Sequence, residues 1–178
     1  MPIKILENTT FASLSIGERK ENEFSNYLSR YAPFDHYQFH QRDEDTTQLL
    51  EELKKYDVVV AAVFLTSSGI LSKYPALLDE LAKHTRVVVC NFGPPSKLSL
   101  FTAPKTIVQA FVDDTLMRRT VPQILLGGLE ANGKLPLSIN EKIGEGSGKI
   151  APSLGRLSYA IPEAVGVSSQ SLERISAI

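Results

Sequence analysis

Two kinds of apolar pattern alternate along the first 140 residues: short runs nearly free of polar residues, and longer stretches with apolar positions three and four apart. The first pattern predicts strands and the second predicts helices. Phe11-Ala-Ser-Leu-Ser-Ile16 reads as a first strand ending at Gly17. From Asn22 to Tyr31 the residues Phe24, Tyr27, Leu28 and Tyr31 make one helical stripe, stopped by Pro33. Asp35-His-Tyr-Gln-Phe-His40 alternates aromatic and polar residues, as a half-exposed edge strand does. Leu49, Leu50 and Leu53 mark a second helix, with Asp45 or Thr46 as its N-cap. Asp57-Val-Val-Val-Ala-Ala-Val-Phe64 does not alternate, so both its faces are covered: a central parallel strand.

The remaining elements follow the same rhythm. Pro75 suits the first turn of a third helix with the stripe Leu77, Leu78 and Leu81. Arg86 to Cys90 is a second central strand, and Pro94-Pro95 end its ladder because they lack backbone donors. Leu98, Leu100 and Phe101 mark a short helix, and Lys105 to Phe111 a further strand. Asp113-Asp114 opens a helix carrying Met117, Val121, Ile124 and Leu125, with a kink or break expected at Pro122. Gly127-Gly128 ends it, Asn132-Gly133 signals a turn, and Lys134 to Ile139 is expected to be the last strand. Glu141 to Gly155, rich in Gly, Ser and Lys, reads as a linker.

Strands alternating with helices predict a doubly wound α/β domain with a mostly parallel sheet, a flavodoxin-like three-layer sandwich. It covers residues 1–140 and leaves an irregular tail over 141–178. This fold hosts many functions and selects none.

Composition narrows the field. At 178 residues the chain makes one domain that buries about 70% of its unfolded surface and needs no staple. Nineteen basic and twenty acidic residues leave a net charge of −1, which gives no electrostatic footprint for nucleic acid or an anionic membrane. No apolar run approaches the roughly 20 residues that span a bilayer. The single cysteine, Cys90, excludes an internal disulfide.

Several chemical motifs dissolve on inspection. Gly144-Glu-Gly-Ser-Gly148 resembles a phosphate-binding loop, yet Lys149-Ile-Ala-Pro152 is a poor helix opening to follow it. Cys90 ends a buried strand, but Val88 and Phe92 stand where a nucleophile elbow needs small residues. It reads as a buried small hydrophobe. His36 and His40 on a strand lie about 13 Å apart, too far to share an ion. Asp113-Asp114 are explained by the preference for carboxylates at a helix N-terminus. The stronger candidates are loops at the carboxyl ends of the strands, where α/β sheets form ligand crevices. These are Gly17, Glu18 and Arg19, then Thr66, Ser67 and Ser68, then Asn91, Phe92 and Gly93.

Several ordered segments carry a resemblance: Pro2-Ile3, Asp57-Val-Val-Val, Val87-Val-Val-Cys-Asn-Phe-Gly-Pro-Pro95 and Ile124-Leu-Leu-Gly-Gly-Leu-Glu-Ala-Asn-Gly-Lys-Leu-Pro136. Together they are similar to the C-terminal α/β domain of family-3 glycoside hydrolases, over about residues 2–139. That resemblance implies a partner, the catalytic barrel that precedes this domain, and a carbohydrate substrate; it implies no cofactor or metal. Phe111-Val-Asp-Asp-Thr-Leu-Met replaces the Pro-Gly-x-x-Gly-Gly segment of many members. Residues 64–73 lack the acid/base glutamate of the β-glucosidase members, which points toward the β-N-acetylglucosaminidase branch. Retaining hydrolysis needs two groups flanking the bond, and in that branch both come from the barrel. The resemblance therefore implies a non-catalytic domain of a secreted or periplasmic bacterial hydrolase.

The tail from Ser153 to Ile178, with Pro162-Glu-Ala-Val-Gly-Val and a Ser168-capped helix carrying Leu172 and Ile175, resembles the opening of a serine β-lactamase-like module. Two other readings remain open: a free-standing flavodoxin-like binding module for a nucleotide, flavin or sugar, and a hydrolase centred on Cys90.

Overall fold

The computed structural model describes residues 3–40, 46–64 and 73–174. Its strands are β1 (Phe11–Ile16), β2 (Phe34–Phe39), β3 (Val58–Val63), β4 (Arg86–Asn91) and β5 (Thr106–Gln109). Its helices are α1 (Glu23–Ser29), α2 (Thr47–Leu53), α3 (Tyr74–Leu81), α4 (Thr115–Leu125) and α5 (Ser169–Glu173). The strands form an open sheet in the order β2-β1-β3-β4-β5, with every neighbouring pair parallel. The α/β fold and its three layers are those that the alternation of patterns predicts.

The period-two geometry of a strand sends successive side chains to opposite faces, and the two cores divide accordingly. Phe11, Val60, Ala62, Val88 and Cys90 pack with Phe24 and Leu28 of α1 and Val121 and Leu125 of α4. Leu14, Ile16, Val59, Ala61 and Val89 pack with Leu53 of α2 and Leu77, Leu78 and Leu81 of α3. Burying each such Val or Leu contributes about 1.5–3 kcal/mol, so β3, buried at every position, anchors the sheet. β2 is the edge strand that its mixed pattern predicts.

Local chemistry sets the element ends. The Asn22 side chain accepts from the Phe24 and Ser25 amides at 3.0 and 3.2 Å, and Ser25 Oγ accepts from the Asn22 amide at 2.9 Å. This reciprocal box fixes the start of α1. Asp114 caps α4 by accepting from the Met117 amide at 2.7 Å. Thr46 stands at the N-cap of α2 without a side-chain cap bond, and Asp45 lies outside the described residues.

α4 runs through Pro122 to Leu125 without a break, although proline removes one helical bond; Val121, Pro122 and Leu125 are buried along it. One expectation changes. Residues 134–139 are not a strand. Leu135 instead exchanges bonds with Gly146 and Ser147, both at 2.8 Å, while Ala131 pairs with Ala151. The segment finds its partners in the following residues rather than in the sheet, and Pro136 lacks the donor a ladder requires. Beyond it, Ser168 caps α5 by accepting from the Ser171 amide at 3.3 Å, while Ile175 lies outside the described residues.

Candidate functional site

Parallel strands deliver their ends to one edge, so the loops after β1, β4 and β5 and the end of β3 at Phe64 lie at the carboxyl edge of the sheet. β1 ends in Gly17, whose φ is +100°. A Cβ there would lie 2.5 Å from the Phe64 carbonyl oxygen, so glycine lets the first loop close on the end of β3.

Behind that contact the Phe64 ring stacks on Phe92 with centroids 4.8 Å apart, and Phe24 meets Phe92 edge-on at 5.5 Å. The Arg118 guanidinium covers Phe64 at 4.3 Å from the ring centroid. Arg118 in turn grips Asp113 through Nε and Nη2, and Nη2 also donates to Glu18 Oε1 at 2.8 Å. Hydrogen bonding to Asp113 first, and to Glu18 next, raises the Arg118 pKa against the opposing effect of burial. The cluster therefore joins the loop after β1, the loop after β5 and α4 by charge-assisted bonds.

The residues singled out by sequence fall into different roles. Glu18 belongs to this cluster. Arg19 Nη2 lies 3.3 Å from His40 Nδ1. Asn91 is 2% exposed and donates to Gln109 Oε1 at 2.7 Å and to the Pro94 carbonyl at 3.1 Å, shaping its own turn. Phe92 is 1% exposed in the core, and the Gly93 carbonyl accepts from Gln109 Nε2 at 2.6 Å. Thr66, Ser67 and Ser68 lie outside the described residues.

Sequence reading missed Arg118, Gln109 and Phe111. Asp114 fulfils the capping role given to the acidic pair, whereas Asp113 serves the ion cluster. Phe111 sits at φ +64°, in a γ-turn closed by the Val112 amide donating to the Ala110 carbonyl at 2.8 Å. A bulky residue at positive φ is an outlier. Its side chain, with those of Val112 and Leu116, is exposed at this edge.

Cys90 is fully buried, and burial raises its thiol pKa well above its ordinary value, which disfavours a thiolate there. His36 bridges Ser13 Oγ on β1 at 2.6 Å and Ser29 Oγ on α1 at 2.8 Å. At the amino edge Lys54, Lys55 and Lys83 are paired with Glu51, Glu52 and Glu80, so their positive charge is locally balanced. Among the described residues no helix is long and apolar enough to cross a membrane.

Neither a protein-family model nor a curated protein matches the chain. Solved structures do. One is a fungal multi-domain GH3 β-N-acetylglucosaminidase that contains a GCN5-related glucosamine N-acetyltransferase region. It matches at a TM-score of 0.63 and 18% identity, over 79% of this chain and 17% of that one. Another is a glycoside hydrolase family 3 β-N-acetylglucosaminidase from Paenibacillus sp. str. FPU-7, at a TM-score of 0.59 and 15% identity, over 71% of this chain and 27% of that one. The chain shares a fold with part of each, and spans well under a third of either length.

Proposed function

We propose that this chain is a non-catalytic α/β domain of a glycoside hydrolase that packs its carboxyl edge on a catalytic barrel and walls one side of the substrate cleft. The parent reaction is retaining hydrolysis of terminal β-linked sugars, with β-N-acetylglucosaminides as the substrate class. One observation carries the reading: Phe111, Val112 and Leu116 are 43%, 51% and 70% exposed, beside a cluster in which Arg118 holds both Glu18 and Asp113. Exposed apolar residues grouped on one edge suit a partner surface. Glu18 and Asp113 both accept from the one Arg118 guanidinium. The fold shared with two β-N-acetylglucosaminidases supports the choice of class. On this reading Glu18 and Arg19 lie at the cleft, Thr66, Ser67 and Ser68 are further candidates for substrate contact, and the segment from Pro162 to Glu173 begins a following serine hydrolase module.

The purified chain should give no turnover of an aryl N-acetyl-β-glucosaminide, and the reading frame around its coding sequence should encode a barrel upstream. Turnover by the chain alone, or a frame without a barrel, overturns the proposal.

The strand order favours a second reading, since β2-β1-β3-β4-β5 is the flavodoxin arrangement, with its ligand crevice between β1 and β3. In this chain Gly17 abuts Phe64 and Arg118 covers the Phe64 ring, so protein groups cover the described end of β3 at that crevice. Titration with flavin, nucleotide or free sugar should give no saturable heat; saturable binding of one of them would move the second reading ahead.

A further inference from the structure

After α4 the chain leaves the fold and then returns to it, and the return is held by specific side chains. Arg156 Nη1 donates to the carbonyls of Ile3, at 2.8 Å, and Leu126, while Nη2 donates to the Lys4 carbonyl at 2.7 Å. One guanidinium thus joins the first described residues, the end of α4 and the tail. Leu154 N–H donates to the Gly127 carbonyl at 2.8 Å. Tyr31 Oη donates to the Leu157 carbonyl at 2.8 Å, and Tyr159 N–H donates to Gln123 Oε1 at 2.7 Å.

The surface beneath is shaped to receive this segment. The Tyr159 ring meets Tyr27 and Tyr31 edge-on, with centroids 6.0 and 5.5 Å away, and the Arg30 guanidinium lies 4.1 Å from the Tyr27 centroid and 4.8 Å from that of Tyr159. Gln123 is 4% exposed, and its oxygen faces the Tyr159 amide. Both glycines of Gly127-Gly128 are also fitted to the returning chain. A Cβ on Gly127 would stand 2.6 Å from Leu154 Cγ. One on Gly128 would stand 2.3 Å from Tyr31 Oη and 3.1 Å from the Leu157 carbonyl oxygen. A pair that ends a helix therefore also makes room for a strap.

We infer that residues 153–159 are a strap that locks the end of the α/β unit to its beginning, so that the folded unit runs to Tyr159 rather than ending near residue 140. α4 runs back from the carboxyl edge, so its end and the strap lie at the amino edge, away from the candidate interface. The strap holds the chain in one place where it enters and where it leaves the fold. This inference does not rest on the glycosidase reading and stands or falls on the chain alone.

Amide hydrogen exchange on the full chain tests it. In the native protein the amides of Ile3, Leu154 and Tyr159 should be protected. Arg156→Ala should speed exchange at all three by about tenfold or more, leaving Val60 in the central strand unchanged. Gly128→Ala, at a backbone position any residue can adopt, should accelerate the same set by crowding Tyr31 and Leu157. Unprotected Leu154 and Tyr159 amides in the native chain overturn the inference without any variant. So does an Ile3 rate that neither substitution changes.

Discussion

Gly17 sits at φ +100° with the Phe64 carbonyl where a side chain would begin. Strain and clash act together there, and the blocking atom belongs to the backbone of Phe64, just past the end of β3. Gly17→Ala should destabilise the protein by about 2 kcal/mol or more, read as a lower denaturant midpoint with an unchanged slope. Arg118 poses a charge problem instead. Its side chain and those of Glu18 and Asp113 are 19%, 29% and 11% exposed, so removing the cation leaves two carboxylates facing each other with little water. Arg118→Ala should cost about 2–4 kcal/mol, and Arg118→Lys less, because lysine keeps the charge without the fork. A native-like midpoint for Arg118→Ala would mean the cluster is merely tolerated. Neither role was legible in sequence. Glu18 and Arg118 are 100 positions apart, and Asp113 precedes Arg118 by five, outside the helical pairing intervals.

Between elements, His36 staples the edge. From β2 it reaches Ser13 on β1 and Ser29 on α1, so the strand that pairs on one side only is also tied to a helix. Burial lowers its pKa below the usual 6.5, opposed by the carboxylates of Glu21 and Asp35. The unfolded chain therefore takes up the proton first as pH falls. The stability that neutral His36 contributes is complete above about pH 6.5 and declines from there toward the folded-state pKa. The carboxylates held low, Glu23 by its hydrogen bond to Arg119 and Asp57 by those from Thr10, release their share only below their ordinary values of 4.5 and 3.8. Melting between pH 7.5 and 5.5 avoids the carboxylates, and His36→Asn removes this histidine alone: the native chain should lose more stability over that window than the variant. An equal loss in both would assign the effect elsewhere. The element pattern itself was largely readable. β3 and β4 announce burial on both faces by lacking alternation, whereas the Asn22 cap of α1 emerged only in the structure. The segment from Lys134 to Ile139 misled because an apolar alternation carries no information about which partner completes its ladder.

At the scale of the whole molecule, the two edges of the sheet have different work. The carboxyl edge gathers an aromatic stack, a paired-charge cluster and the exposed Phe111, Val112 and Leu116. The amino edge fastens the beginning of the unit to its end through Arg156. The class of fold, the central strands, the buried character of Cys90 and the position of most elements were determined by sequence, because they follow from local periodicity and from which residue types water rejects. The closure of Gly17 on Phe64, the Glu18–Arg118–Asp113 cluster and the return of Tyr159 to Tyr27 and Tyr31 were decided only by tertiary structure. Each joins residues that are distant or irregularly spaced along the chain, and only packing the helices on both faces of the sheet brings them within bonding distance.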